Sequence, residues 1–200
     1  MKKLFICFIM LAGTMLLQAQ VRRTPVQQQR TTQTAAKTFT LVNGKLGPVK
    51  TGVRFANIPT TYAGLYDKYT HKKIEHESEM DGDWVEEYYQ FTKGGKNIFR
   101  ADVFRGKIVS ITLQVGSASI VKTQEGFYVG YPARTLFTKK PMQWATYFEG
   151  TAFGTSGHWT FHVLDSDLLN TDSPDKVNDL KHTAKIYTIT YNHEVEECDY

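Results

Sequence analysis

Lys107-Ile108-Val109-Ser110-Ile111-Thr112 returns 78 residues later as Lys185-Ile186-Tyr187-Thr188-Ile189-Thr190. In the first copy Val109, Ile111, Leu113 and Val115 alternate with Ser110, Thr112 and Gln114. Period-two alternation is the signature of a strand with one buried and one polar face. A one-residue slip would turn that whole apolar set to water, so the register is strongly specified. The second copy points Tyr187, Ile189 and Tyr191 inward by the same rule.

A weaker match lies upstream. Thr51-Gly52-Val53-Arg54-Phe55 resembles Glu125-Gly126-Phe127-Tyr128-Val129, with the glycines 74 residues apart. Each is followed by a proline, Pro59 or Pro132, and a short helical pattern. Matches in the same order at similar offsets imply two tandem units, 46–120 and 121–194. A leading hairpin extends the first unit to 37–120: Thr38–Val42 and Lys45–Val49 flank Asn43-Gly44, which suits a type I′ turn.

In the first unit Pro59 opens a helix, and Tyr62, Leu65, Tyr66 and Tyr69 form an apolar stripe at helical spacing. Strands are expected over His71–Met80 and Trp84–Phe91, around Asp81-Gly82-Asp83. Two more are expected over Asn97–Phe104 and Lys107–Val115, around Arg105-Gly106. In the second unit Pro132–Lys140 reads as a helix with Leu136 and Phe137 inward, and Trp144–Phe153 as one strand. Trp159, Phe161 and Val163 alternate with His158, Thr160 and His162. An acidic insertion, Asp165–Ala184, separates the last two strands. The expected fold class is α+β: two units, each a short helical segment packed on a four-stranded antiparallel sheet.

The two glycine–proline openings, Gly52…Pro59 and Gly126…Pro132, and the Lys-Ile-x-Ser/Thr-Ile-Thr closing strands give a layout that resembles the secreted β-lactamase-inhibitor proteins. It is also similar to outer-membrane assembly lipoproteins of the BamE/SmpA type. The resemblance covers 46–194 and is one of layout. It implies protein binding through an open sheet face or its loops. The disulfides of the first family and the lipid-attachment cysteine of the second have no counterpart here, and no functional residue is carried over.

Residues 1–19 read as a secretory signal peptide. Lys2 and Lys3 precede an apolar run from Leu4 to Leu17, and cleavage is expected near Ala19–Gln20. The run is short for a membrane span, so no stable membrane insertion is expected after cleavage. Cys7 lies within the run, which excludes lipidation there. Residues 20–36, rich in Gln, Thr and Arg, read as a flexible linker, and 195–200 as a C-terminal tail. These features place the protein in the periplasm or outside the cell.

The 200-residue chain is 41% hydrophobic, with 24 basic and 20 acidic residues and a formal net charge of +4. Loss of Lys2 and Lys3 would leave +2, so neither nucleic acid nor an anionic membrane is expected as partner. Cys198 would be the single remaining cysteine, and its acidic neighbours Glu196, Glu197 and Asp199 disfavour a reactive thiolate.

Motifs for chemistry fail on spacing. His158 and His162, four apart on a strand, are separated by roughly 13 Å, too far for one ion. Asp165-x-Asp167 starts like a calcium loop, but Asn170 and Lys176 stand where glycine and glutamate are required. Gly154-Thr155-Ser156-Gly157-His158 is not a nucleophile elbow. The acidic residues around the first hairpin flank an exposed turn and lack the burial that tunes catalytic carboxylates. No cofactor or metal is expected.

What remains are contact residues. Tyr88 and Tyr89 are adjacent on one strand, so one faces away from the core, near Trp84. Asp81 and Asp83 at the hairpin, and Asp165, Asp167, Asp172 and Asp175 in the insertion, offer acidic docking loops. His158 and His162 mark the polar sheet face. The reading is a soluble, exported, non-catalytic binding module with a protein partner. Alternatives are a small-ligand or glycan carrier, or an envelope hydrolase using His158 or His162 with Asp165 or Ser156.

Overall fold

The two repeated segments become neighbours. In the computed structural model Lys107–Leu113 and Thr188–Asn192 pair antiparallel, with Leu113 opposite Ile189, Thr112 opposite Thr190 and Ile111 opposite Tyr191. The structure describes residues 37–77, 82–140, 143–146, 151–169 and 179–193, all within one compact unit. The signal-peptide and linker assignments, 1–36, lie outside the described residues, as does the tail.

In chain order the strands are β1 (Phe39–Leu41), β2 (Lys45–Leu46), β3 (Val49–Lys50), β4 (Lys68–His76), β5 (Trp84–Lys93), β6 (Lys96–Phe104), β7 (Lys107–Leu113), β8 (Val121–Thr123), β9 (Gln143–Thr146), β10 (Thr151–Ser156), β11 (Trp159–Leu164) and β12 (Thr188–Asn192); α1 is Ala133–Lys139. Eight of them form one sheet in the order β4-β5-β6-β7-β12-β11-β10-β9. Two antiparallel meanders are thus fused edge to edge through β7 and β12.

This corrects the expected α+β layout of two separate helix-on-sheet units. A single eight-stranded sheet replaces the two four-stranded ones, beside the two-stranded pairs β1–β8 and β2–β3, and α1 is the one α-helix among the described residues. The stripe at 62–69 is not helical. Tyr62 and Tyr66 bridge each other across a tight turn, and Tyr69 already belongs to β4. Leu65 and Tyr66 are buried all the same, because a turn can bring two adjacent side chains inward as well as a helix can. The Tyr66 phenol donates to Pro59 O at 2.9 Å, and burial pushes its pKa up to about 12. The stretch read as one strand, Trp144–Phe153, is divided between β9 and β10, which pair with each other.

The repeat itself has one constant offset. Gly52 N donates to Ile108 O at 2.8 Å, and Gly130 N donates to Ile186 O at 2.8 Å. Ile108 N and Ile186 N return bonds to Val53 O and Tyr131 O, both at 2.9 Å. Arg54 bridges Lys107 as Pro132 bridges Lys185. Gly52 therefore corresponds to Gly130, 78 residues on, and not to Gly126. Both glycines hold positive φ, 77° and 93°.

Residues opposite one another in a ladder share a face, which sorts the sheet into two sides. One row runs Tyr69, Phe91, Phe99, Leu113, Ile189 and Phe161; the next runs Tyr89, Ala101, Ile111, Tyr191 and Trp159. These pack into a single cluster with Leu41, Leu46, Val49, Leu65, Val121, Val129, Leu136 and Phe137 from the elements outside the sheet. Phe91 and Phe99 stack at 4.1 Å between ring centroids. Removing such a ring costs about 3–5 kcal/mol in a close-packed core.

The inward rows are interrupted twice. Register shifts fall between Asp102 and Val103 and between Phe91 and Thr92. The first puts Ile108 inward beside Ile111, leaving Val109 between them half-buried. Val115 leaves the sheet in a 3-10 turn and is exposed, and Tyr187, just before β12, is exposed too. Neither faces the core as alternation had implied.

Asn43 and Gly44, at φ 46° and 70°, close a two-residue turn in which Val42 and Lys45 exchange backbone bonds. The flanking chain then diverges: β1 pairs in parallel with β8, and β2 pairs antiparallel with β3. A Cβ on Gly44 would lie 2.1 Å from Thr51 Oγ1 and 2.7 Å from the Tyr191 ring; one on Gly157, at φ 57°, would meet nothing within 4 Å. Gly157→Ala should cost only the left-handed backbone strain, about 1–2 kcal/mol. Gly44→Ala should cost about 1–3 kcal/mol more from overpacking. Urea denaturation of the two variants compares these costs directly; equal losses would contradict the packing described.

Candidate functional site

The face opposite the core carries the polar half of each strand. One row crosses it through Gln90, Arg100, Thr112, Thr190, Thr160 and Thr155. The row beside it holds Tyr88, Asp102, Ser110 and Asn192. The hydroxyls of Thr112 and Thr190, equivalent by the repeat, lie 3.0 Å apart across the junction of the two meanders.

Arg100 organises the β4–β7 half. Its guanidinium lies 2.6 Å from Glu86 and also bonds Asp102, and it rests over the Tyr88 ring at 4.1 Å. Burial alone would lower its pKa. Asp102 and Glu86 outweigh burial and raise it, so the cation is fixed. Ser110 donates to the other oxygen of Asp102. Glu86 also meets His76 Nε2 at 3.4 Å. The His76 ring stacks on Trp84 at 3.9 Å with planes 8° apart. Trp84 is 51% exposed, with Ile74 exposed on the same face.

The result is a continuous layer, from Ser110 through Asp102, Arg100 and Glu86 to His76 and Trp84. Each charge faces its opposite at contact distance. Such a layer holds side chains in place more than it creates reactive ones. The Ser110 hydroxyl donates to the Asp102 oxygen that Arg100 does not take, which ties the serine into the same ion-paired layer.

The residues singled out from sequence do not converge. Trp84 and Tyr88 belong to the layer just described. Asp83 is exposed before β5, and Asp81 lies outside the described residues. His158 is in the β10–β11 turn, stacked on Tyr191 with Nδ1 2.9 Å from Asn192 O. His162 is opposite Thr188. Asp165 and Asp167 are in a 3-10 turn, where Asp167 accepts from Lys185 N at 3.2 Å. Asp172 and Asp175 lie outside the described residues. The described ends of the insertion are built into the molecule: Leu168 bridges Leu180, and both are buried with Ala184.

Sequence reading missed Arg100 and Asp102, the centre of the layer. Their signal was the alternation of β6, where polar residues at 100 and 102 fall between Phe99, Ala101 and Val103.

Among the described residues no helix is long and apolar enough to cross a membrane, and no cluster of three His, Cys, Asp or Glu is placed to hold a metal ion. No family model matches the chain, and no curated protein matches it. Among solved structures, it is similar to the uncharacterized protein yfeY from Escherichia coli. The TM-score is 0.54 at 14% identity, over 78% of this chain and 99% of that one. At that identity the likeness concerns the fold alone.

Arg100→Met would leave Glu86 and Asp102 facing each other without their cation. It should cost about 1.5–3 kcal/mol, the range for hydrogen bonds to charged groups, as read by urea denaturation. His162 is half-buried, and burial lowers its pKa below the usual 6.5. The unfolded chain then takes up the proton first. Its contribution to stability is present above pH 6.5 and is lost as the pH falls toward the folded-state value. His162→Gln should show a shallower fall in urea midpoint between neutral and acidic pH than the parent; identical pH profiles would contradict this.

Proposed function

We propose that the chain is an exported, non-catalytic binding protein whose sheet face opposite the core receives another protein. The observation that carries this is the arrangement at β4–β6. An exposed tryptophan and a tyrosine lie on one face, each stacked against a neighbour that belongs to the ion-paired layer. Aromatic and arginine side chains dominate protein contacts because they bring large area at small entropic cost. Rings already fixed in place lose still less on binding. Export rests on the N-terminal sequence pattern.

The test is affinity capture from envelope and culture-medium fractions with the full tagged chain, against the same chain carrying Trp84→Ala and Tyr88→Ala. Both side chains lie outside the core, so the variant is expected to keep its far-UV circular dichroism. Deleting the insertion would be a poor control, since it removes buried Leu168 and Leu180. A stoichiometric partner retained by the parent and depleted about tenfold or more with the variant supports the reading; each contact residue of this kind is worth at least about 1.4 kcal/mol. Equal retention by both baits would move the contact elsewhere, and capture of nothing by a folded bait would remove the reading.

A further inference from the structure

The junction between β7 and β12 ends differently at its two ends. Past Ser110 and Asn192 it continues, with His193 N donating to Val109 O at 2.8 Å. Past Leu113 and Ile189 the corresponding residues are Gln114 with Thr188, and Val115 with Tyr187. Here the chains part. Val115 enters the 3-10 turn Val115–Ser117, while Tyr187 N donates to His162 O at 2.7 Å. Gly116 fixes the turn against β6, since a Cβ there would lie 2.3 Å from Asn97 O. Between the parted chains is a cleft of about 630 Å³, within the range of small-ligand sites.

Its lining restricts the chemistry of a ligand. Amides come from Asn97 and Gln114, and hydroxyls from Ser119 and Thr188. Gln114 Oε1 accepts from Gln90 at 2.7 Å, so its NH₂ is the group left to donate. The Tyr187 ring, 44% exposed, and Val115, 60% exposed, supply apolar surface. Among the described lining residues there is no carboxylate to hold a cation, and Lys96 is the one charged group. Amides and hydroxyls both donate and accept, which suits a neutral molecule rich in hydroxyls with an apolar face for the tyrosine ring.

We infer that this cleft binds a neutral saccharide, with Tyr187 stacked on a sugar ring and Gln114, Asn97 and Thr188 bonding its hydroxyls. The site is separate from the Trp84–Tyr88 surface, and its test does not depend on that reading. Amide resonances of the protein are followed by NMR during titration with maltotriose, with diacetylchitobiose, and with trigalacturonic acid as a charged control. The expected result is saturable shifts at Asn97, Gln114 and Thr188 with at least one neutral probe, with a dissociation constant on the order of 1 mM. Tyr187→Ala should weaken binding by about tenfold or more, which corresponds to 1.4 kcal/mol, while Tyr187→Phe, which keeps the ring, should retain it. Because Tyr187 is exposed, both variants are expected to give the parent spectrum elsewhere. Absence of localised shifts with both neutral probes, binding of the acidic trimer alone, or equal binding by Tyr187→Ala would each overturn the proposal.

Discussion

Everything in the large sheet depends on the ladder between β7 and β12. Each meander alone would end in an open strand whose backbone groups face water and invite pairing with another chain. Joining the two removes the open edges at the join and carries one apolar row across from Tyr69 on β4 to Phe161 on β11. At the join Ile111, Leu113, Ile189 and Tyr191 enter one core, so β7 and β12 bury each other's neighbours as well as their own. On the opposite side the Thr112–Thr190 contact spans the join. The apolar side supplies the stabilisation and the polar side the alignment.

Much of this was legible as pieces. Strands were recognisable from alternation, and the two Lys-Ile segments advertised a relation. Their pairing was not, because strand partners are set by the best burial available across the whole chain and not by neighbours in sequence. The helix expected at 62–69 failed for a related reason. Apolar residues three and four apart fit a helical stripe, but a tight turn leading into a strand buries Leu65 and Tyr66 equally well. The glycine alignment failed because similarity of letters favoured Gly126, whereas the backbone bonds to Ile108 O and Ile186 O single out Gly130.

The candidate surface was legible to the extent that a single residue advertises itself. Trp84 and Tyr88 drew attention as aromatics on a strand with a polar side. The loop acids and the two histidines drew attention by type, and geometry scatters them: His158 caps a turn, His162 is half-buried, and Asp167 accepts from a backbone N–H. Arg100 passed unnoticed because its significance lies in what surrounds it. Glu86, Tyr88 and Asp102 approach it from the β5 ladder and from its own strand.

That surrounding has a consequence for recognition. Glu86, Arg100 and Asp102 already satisfy one another, and their separation would leave partly buried charge uncompensated. A partner therefore gains little by offering a new ion pair to this layer, since it would first have to break an existing one. What the layer leaves available is ring surface on Trp84, stacked on His76, and on Tyr88, against which the guanidinium rests. These rings are apolar at their faces and held by their neighbours. Contact there would release water from aromatic area without disturbing the charges. Contact through these rings should accordingly depend weakly on salt, whereas exposed Lys72, opposite Tyr88 on the same face, is where salt would act.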